Sequence, residues 1–411
     1  MKRFNILFRY TFLASITVLL LTSCPSLQNF PKGKVRLIYT IKADNTSIPI
    51  QDSYFASKNY LIYYFDNSVT AFDPEAKQTA WSSSYYDRLI VPEYREVDNT
   101  IYIWPFGTSK TNDQPVITVL DAATGEIRNE LVLNVPSELI ERWNPKAIAR
   151  IGKLIYIDLK RGEIAVLEEN NNMVNYLSTI RVDDIYNVSA LSDEPDSFRA
   201  LKIQASSNES DLLILFTHAD GFSGINHIYR LNVDGTTLWG AAKYIQPRDF
   251  LILNDQIVYF TPTGAVFVDS ENGTGVKWVK VPAGECKNDP YILHPVEYDA
   301  ENQLVYAPLG VLDVSEENPS WLWDVLSLFD KIKFSECSYK PAVKNGVAYY
   351  GTNGLLIAID IATGEVLDVE TSSAMRREYS LNAPTFNIGP YIVMPYQDYW
   401  RVMIAVYLPD F

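Results

Sequence analysis

The chain has 411 residues, with 50 Asp+Glu against 35 Lys+Arg, and therefore a formal net charge of −15. Hydrophobic residues make up 47% of the chain and aromatic residues 13%, which excludes a disordered polypeptide and suffices for a large core. The negative balance argues against nucleic acid as a partner, because phosphates recruit Lys and Arg. Only three His and three Cys are present, so neither a metal site nor a metal-cluster cofactor is predicted.

The first 23 residues have the pattern of a secretory signal peptide. Lys2, Arg3 and Arg9 precede an apolar run from Thr11 to Leu21 that is too short to span a membrane, which needs about 20 residues. The run leads into Leu21-Thr22-Ser23-Cys24, which resembles the bacterial lipobox. We therefore predict a lipoprotein signal peptide over 1–23, a lipidated Cys24 and a linker over 24–34, with ordinary signal cleavage as the alternative.

Attachment to a membrane is expected to depend on acyl chains. A chain of net charge −15 is repelled by an anionic surface, whereas each buried CH₂ of an acyl chain contributes roughly 0.8 kcal/mol. Pro25 follows the lipidated position, and the absence of Asp there is compatible with sorting to the outer membrane. Cys286 and Cys337 would then lie in an oxidising compartment, where they could form a disulfide or remain separate buried thiols.

One phrase recurs along the rest of the chain: a β-rich run, an Asp, a tight turn with Gly, and a second run that often carries Trp. The fullest copies are Val119 to Glu126 and Ala358 to Glu365. The anchor positions are separated by 48, 47, 64, 37, 44 and 47 residues, which is the length of a four-stranded blade. The anchors are Asp73, Asp121, Glu168, Asn232, Asp269, Asp313 and Asp360.

The anchor has a physical explanation. A carboxylate at the end of a strand can accept hydrogen bonds from the N–H groups of the next turn, and Gly permits the reversal. An earlier run rich in β-branched and aromatic residues lies about 15 residues before most anchors, as in Leu61 to Phe65. These runs are too short for a helical solenoid, so the repeat is predicted to be all-β.

The count of repeats predicts a closed ring. The pattern returns once more at Met403 to Tyr407, where a fourth strand is missing, and Val35 to Ile41 can supply it by pairing beside that last run. We predict that residues 35–411 form an eight-bladed β-propeller of four-stranded antiparallel blades. Seven blades is the alternative if the poorly spaced copy at Glu168 or Asn232 is spurious.

The phrase Ala-x-Asp-x-x-Thr-Gly-x-x-x-Trp resembles the repeat of pyrroloquinoline-quinone-type (PQQ-like) β-propellers. The resemblance implies that the Trp stacks between neighbouring blades, a role open here to Trp81, Trp239, Trp278 and Trp321. The lipobox and eight such blades are also similar to the propeller lipoprotein family of the outer-membrane β-barrel assembly machinery. That similarity implies a scaffold for protein partners on the periplasmic side of the outer membrane.

An enzyme is not predicted, and no catalytic, cofactor-binding or metal-binding residue is assigned. Quinone-dependent oxidoreductases of the resembled family need a vicinal Cys pair and a calcium site, and this chain has no Cys-Cys. Asp269 to Gly273 hints at a calcium loop but fits a blade turn better. A quinone-dependent oxidoreductase and a surface-exposed ligand-binding or adhesive lipoprotein remain the alternatives to a scaffold.

Two segments depart from the repeat. The 64-residue interval contains Asp183, Asp184 and the acidic stretch 193–196, and we expect a solvated insertion or a loop that recognises a cationic partner. Residues 320–329 begin as a Trp-bearing strand and continue with apolar residues at helical spacing. Core packing is the expected role of that continuation, with presentation to a partner as the alternative.

Overall fold

The computed structural model describes most of the region predicted to be the propeller. Its described residues are 33–42, 54–65, 68–85, 89–106, 115–182, 198–206, 209–218, 226–243, 249–253, 255–284, 297–328, 340–352, 355–371, 381–382, 384–398 and 401–411. Cys24, Cys286, Cys337 and the acidic stretch of the 64-residue interval lie outside the described residues.

Short strands rich in β-branched and aromatic residues make up nearly all of the described structure, as their composition predicts. In the first four blades they are β2 (Tyr54–Ala56), β3 (Leu61–Phe65), β4 (Ser68–Asp73) and β5 (Gln78–Ser84); β6 (Leu89–Arg95), β7 (Thr100–Phe106), β8 (Val116–Asp121) and β9 (Ile127–Asn134); β10 (Asn144–Ile151), β11 (Leu154–Asp158), β12 (Glu163–Asn170) and β13 (Met173–Arg181); β14 (Phe198–Ala205), β15 (Asp211–His218), β16 (Asn226–Asn232) and β17 (Thr237–Lys243).

The other four blades follow the same order from the innermost strand outward. They are β18 (Leu251–Leu253), β19 (Gln256–Thr261), β20 (Gly264–Asp269) and β21 (Lys277–Lys280); β22 (Glu297–Asp299), β23 (Leu304–Ala307), β24 (Gly310–Asp313) and β25 (Ser320–Asp324); β26 (Ala342–Lys344), β27 (Val347–Thr352), β28 (Leu355–Asp360) and β29 (Val366–Thr371); β30 (Leu381–Asn382) and β31 (Phe386–Ile388), β32 (Tyr391–Asp398), β33 (Arg401–Pro409) and β1 (Val35–Lys42).

Antiparallel hairpins build every blade, and one short helix, α1 (Ser137–Ile140), links blades 2 and 3. The outer strands of these two blades also pair in parallel, with Met173 opposite Val132 and Asn175 opposite Asn134. No helix among the described residues is long and apolar enough to cross a membrane.

The first and last strands of the propeller close the ring. β1 pairs antiparallel with β33, from Val35 opposite Pro409 to Lys42 opposite Met403, and becomes the outermost strand of blade 8. The prediction that an N-terminal strand supplies the missing fourth strand is confirmed.

Eight clusters of buried hydrophobic residues lie between the described blades, and each joins one blade to the next. Blades 1 and 2, for example, share a cluster that includes Ile62 and Ile103, and blades 8 and 1 share one that includes Val406 and Leu61. The clusters pass once around all eight blades. The eight-bladed prediction is therefore confirmed, and the seven-bladed alternative is wrong because the copies at Glu168 and Asn232 belong to real blades.

The anchor aspartates have the turn role expected from the sequence, whereas Glu168 lies two residues before the end of β12. Asp121 Oδ1 accepts the N–H groups of Ala123 at 2.7 Å and Thr124 at 3.1 Å. Asp269 makes the same pair of hydrogen bonds to Glu271 and Asn272, so it serves its turn and not a calcium loop.

Three tryptophans attach their blade to the turn of the next blade. The indole N–H of Trp81 donates to Ala122 O at 3.3 Å, that of Trp239 to Ser270 O at 3.0 Å, and that of Trp323 to Ile361 O at 2.8 Å. Each accepting carbonyl directly follows an anchor Asp. Each ring also covers the turn glycine so closely that a Cβ there would come within 2.5–2.7 Å of the tryptophan.

Trp321 lies between blades 5 and 6, as the resemblance implies, but neither Trp321 nor Trp278 occupies this attaching position. Trp278 is 45% exposed, and Trp321 points to the preceding blade, where its N–H reaches Val279 O at 3.1 Å. The residue that makes this attachment lies on the outermost strand, opposite the residue two positions before the anchor on the third strand. In blade 5 it is Lys277 and in blade 6 it is Trp323. The turn before the outer strand varies in length, which shifts the register by one or two residues.

Where Trp is absent, a different polar side chain occupies this position and makes the connection. Lys277 Nζ donates to Glu317 O and Asn318 Oδ1 of the next blade, both at 2.7 Å. In blade 7 the position holds Asp368, which is fully buried and whose Oδ2 accepts the N–H of Val35 in β1 at 2.5 Å. A carboxylate on blade 7 therefore holds the strand that closes blade 8.

The apolar continuation after β25 packs into the core, as expected. Val325 is fully buried, and Leu326 and Leu328 are 7% exposed.

Gly364→Ala tests the tryptophan attachment. A methyl group there meets the Trp323 side chain at 2.7 Å, whereas Gly346 has a similar positive φ and nothing within 4 Å. Both variants carry the cost of a left-handed backbone, so Gly364→Ala should lower the unfolding free energy by about 1–3 kcal/mol more than Gly346→Ala. Urea unfolding measures this difference, and equal losses would contradict the attachment.

Asp368→Asn tests the hold on β1. The amide keeps the shape but loses the charge that strengthens the hydrogen bond from Val35, so a loss of about 1–3 kcal/mol in unfolding free energy is expected. Asp410→Asn, an exposed change near the same strands, is the control and should leave the unfolding midpoint unchanged. A variant as stable as the parent protein would rule out this hold.

Candidate functional site

The turns that join the innermost strand to the second strand, and the third strand to the outermost strand, lie at one end of the sheets, which we call the turn face. In the described residues it comprises 33–34, 57–60, 74–77, 96–99, 122–126, 152–153, 171–172, 206, 209–210, 233–236, 255, 270–276, 300–303, 314–319, 345–346, 361–365, 389–390 and 410–411. β1 also begins here, because Val35 lies opposite Pro409 at the end of β33.

A cavity of about 930 Å³ lies among the innermost strands and reaches the turn face. Blades 6, 7, 8, 1 and 2 all contribute to its walls, so it lies inside the ring on the side where the first and last blades meet, and it is called here the axial cavity. Innermost strands of only three residues form four of these walls, namely β2, β22, β26 and β31. The space is therefore a consequence of ring closure and not of one local motif.

Aromatic rings line one side of the axial cavity. Phe55 of blade 1 stacks on Tyr94 of blade 2, with ring centroids 5.1 Å apart and an interplanar angle of 14°. Tyr60 and Phe386 are half-buried and add further ring surface. Burial, followed by the negative charges of Glu96 and Asp98, raises the pKa of Tyr94. Its phenol therefore stays protonated at neutral pH and donates to Asn99 Oδ1 at 3.2 Å.

The charged groups of the axial cavity balance. Lys340 Nζ lies 2.5 Å from Glu297 Oε2, while Lys58 and Glu96 are both exposed at the mouth. Thr385 is occupied in the wall, since it accepts the N–H of Ala342 and donates to Tyr349 O, both at 2.8 Å. The lining offers ring surfaces, amides and two carboxylates, and it contains no His and no Cys. Such an arrangement can bind a ligand by stacking and hydrogen bonding.

The lining does not fit a calcium-bound quinone. Calcium takes six to eight oxygen ligands, usually with several carboxylates. The cavity has two carboxylates on separate blades, one of them paired with Lys340, and no group of three His, Cys, Asp or Glu side chains suited to a metal occurs in the described residues.

Known proteins resemble this chain in structure only. No family model matches the sequence, and no curated protein matches it. A quinohemoprotein alcohol dehydrogenase from Pseudomonas putida HK5 has 11% identity and a TM-score of 0.52, over 92% of this chain and 76% of the dehydrogenase. A europium-containing methanol dehydrogenase has 12% identity and a TM-score of 0.56, over 91% and 93% of the two chains. These similarities support the PQQ-like propeller fold.

The comparisons contradict the prediction that the chain is not an enzyme. Two solved structures that it resembles are those of dehydrogenases. The prediction relied on absent sequence motifs, and such motifs are not required by the fold that these enzymes share with this chain. At identities of 11 and 12%, the similarity shows a shared fold and does not assign a reaction to this chain.

Sequence reasoning missed the axial cavity. The residues it singled out were Cys24, Cys286 and Cys337, which the structure does not describe, and the anchor aspartates, which serve the turns. Of the three histidines, His227 lies in β16 and is buried. The cavity residues come from six separate stretches, and of these only Ala123 lies in a copy of the repeat phrase.

A second unusual group, Asp158, is fully buried between blades 3 and 4, away from the axial cavity. Burial raises the pKa of Asp158 to about 7, although hydrogen bonds from Ala200, Lys160 and Asn144 oppose the shift. The carboxyl lies at the end of β11 opposite Asn144 of β10, so it belongs to the packing between blades.

Asp158→Asn should change how stability depends on pH. The folded pKa lies above the value near 4 of an unfolded Asp, so the proton stabilises the fold below about pH 4 and this contribution is lost as the pH rises through about 7. The Asn variant has no carboxyl group to ionise at this position. Its unfolding free energy relative to that of the parent protein should therefore rise by more than about 1.4 kcal/mol between pH 5 and pH 8. Urea unfolding at both pH values measures the gain, and parallel pH curves would contradict it.

Proposed function

We propose that this chain is a lipid-anchored, partner-binding scaffold of the bacterial cell envelope, held by Cys24 at the periplasmic side of the outer membrane and acting in outer-membrane protein assembly. The observation that carries a binding role is the axial cavity, which five blades frame with aromatic and hydrogen-bonding groups. A closed ring holds these groups in fixed positions, so binding requires little ordering of the site.

The proposed anchor agrees with where β1 begins. Cys24 precedes Val35 by eleven residues, a span of roughly 36–40 Å when fully extended. Val35 lies at the turn face, and its strand is held by hydrogen bonds to β33 and Asp368. A lipid at Cys24 would therefore tether the propeller through the strand that closes it.

Cys24→Ala tests the anchor. Without the thiol no acyl chain can be attached, so the protein should move from the membrane fraction to a soluble or uncleaved form. Cys337→Ala is the matched control and should remain in the membrane fraction. Cell fractionation with immunoblotting measures both, and a fully processed, membrane-bound Cys24→Ala variant would disprove the anchor.

Crosslinking in intact envelopes tests the scaffold role. Mass spectrometry of the crosslinked species should identify a component of the β-barrel assembly machinery. Protease added to intact cells should leave the protein uncut if it faces the periplasm. Degradation by that protease would favour the surface-exposed ligand-binding lipoprotein instead.

A quinone-dependent oxidoreductase is the second candidate function, because the chain shares its fold with dehydrogenases, and it would require a quinone site other than the axial cavity. Its test is the addition of pyrroloquinoline quinone with calcium to the purified protein, an alcohol and a redox dye. Quinone binding with dye reduction would favour the enzyme over the scaffold, and failure of both would remove this candidate.

A further inference from the structure

The turn face carries most of the protein's excess negative charge. Its described residues, apart from the anchors, include thirteen Asp and Glu side chains against four lysines, and all seventeen are exposed. Five of the carboxylates lie on the turns that follow the innermost strands and therefore surround the axis: Glu96, Asp98, Glu209, Asp255 and Glu301. Two lysines, Lys58 and Lys153, lie on the same inner turns, so carboxylates outnumber lysines there by five to two. The other two lysines lie at the outer strands, Lys34 over the Phe411 ring and Lys77 over the Tyr39 ring.

The axial cavity differs from the face around it. Its own charges cancel, because Lys58 and Lys340 match Glu96 and Glu297, and its distinctive content is ring surface. A partly apolar hollow without net charge, within an acidic face, favours a ligand with two chemistries: an apolar or aromatic group for the hollow and positive charges around it.

We propose that the turn face binds a basic segment of a partner protein, with Lys or Arg side chains over the inner carboxylates and an apolar side chain in the axial cavity. The inference rests on the proposed function and specifies its partner. The half-buried rings of Tyr60 and Phe55 line the cavity and provide further sites where a cation can lie against an aromatic ring.

The distribution of the carboxylates favours a polypeptide over a metal ion. A cation such as calcium needs several oxygen ligands about 2.3–2.6 Å away, and in the described residues no three of these side chains form a group suited to a metal. Charges spread over the turns of many blades instead match the spacing of side chains along an extended or folded protein surface. Nucleic acid and anionic lipid would be repelled by the same charges.

Charge complementarity of this kind predicts a strong salt dependence. The carboxylates are exposed, so salt screens their attraction for Lys and Arg, with a Debye length near 8 Å at about 0.15 M. Contact in the cavity is less sensitive to salt because it depends on burial of apolar surface. The two contributions can therefore be separated by experiment.

The test uses the purified propeller chain and a short fluorescein-labelled peptide in which lysines alternate with glycines around one central leucine. Fluorescence anisotropy should detect binding at low salt, with affinity falling about tenfold or more between about 0.02 and about 0.3 M salt. A peptide with glutamates in place of the lysines should not bind.

Two double variants distinguish binding at the turn face from a general effect of the protein's net charge. Glu96→Lys with Glu301→Lys alters two inner turns and should weaken binding about tenfold. Glu138→Lys with Glu141→Lys makes the same change in net charge at helix α1, at the opposite end of the sheets, and should weaken binding less than about twofold. Equal losses in both variants would mean non-specific attraction and would overturn the proposal.

Asn387→Trp tests the axial cavity. Asn387 is an exposed residue of the lining, so a Trp can fill the space without disturbing the core. The variant should lose affinity for the leucine-centred peptide and keep the parent's unfolding midpoint, whereas a peptide with glycine at the centre should bind both proteins alike. Unchanged affinity for the leucine-centred peptide would exclude the cavity from the site.

These outcomes are independent of the scaffold test. Capture of an assembly component that still crosslinks to the Glu96→Lys, Glu301→Lys variant would keep the proposed function and reject the turn face as its site. Peptide binding as expected, with no such component captured, would keep the site and reject the role in assembly.

Discussion

The antiparallel pairing of β1 with β33 is the interaction on which the rest of the molecule depends. A blade buries its two faces only against its neighbours, and eight hydrophobic clusters between the described blades form a continuous circuit. Without β1, blade 8 would lack its outer strand and leave an unpaired edge. The axial cavity exists only because strands from blades 6 to 8 meet those of blades 1 and 2 across this closure.

A single structural position secures one blade to the next, and its chemistry is interchangeable. It holds Trp in blades 1, 4 and 6, Lys277 in blade 5 and Asp368 in blade 7, and each reaches an atom beyond its own blade. An indole, an ammonium group and a carboxylate can all make that connection, provided that its length and polarity match the partner. This tolerance explains how the fold persists at 11–12% identity to the dehydrogenases, where sequence comparison finds no relative.

The fold could be predicted from the sequence because its determinants are local and repeated. An anchor such as Asp121 acts on the two or three residues that follow it, and the strand Leu154 to Ile157 pairs with the next strand along the chain. The attaching residue could not be assigned in every blade, because the bulge between Val311 and Leu312 and a longer turn place Trp323, not Trp321, against Gly364. The axial cavity was beyond prediction, since residues far apart in sequence, such as Tyr60 and Asn387, meet only in the closed ring.

A disulfide across the closing strands tests the account most directly. Thr40 lies opposite Ala405 in the pairing of β1 with β33, so Thr40→Cys with Ala405→Cys should form an intramolecular disulfide within the Cα separation of about 4.4–6.8 Å that such a bond needs. Peptide mapping of the oxidised protein should identify this bond, and the unfolding midpoint should rise because the bond closes a long loop. A failure to form it, or its formation only between two molecules, would contradict a ring closed by the protein's own N-terminal strand.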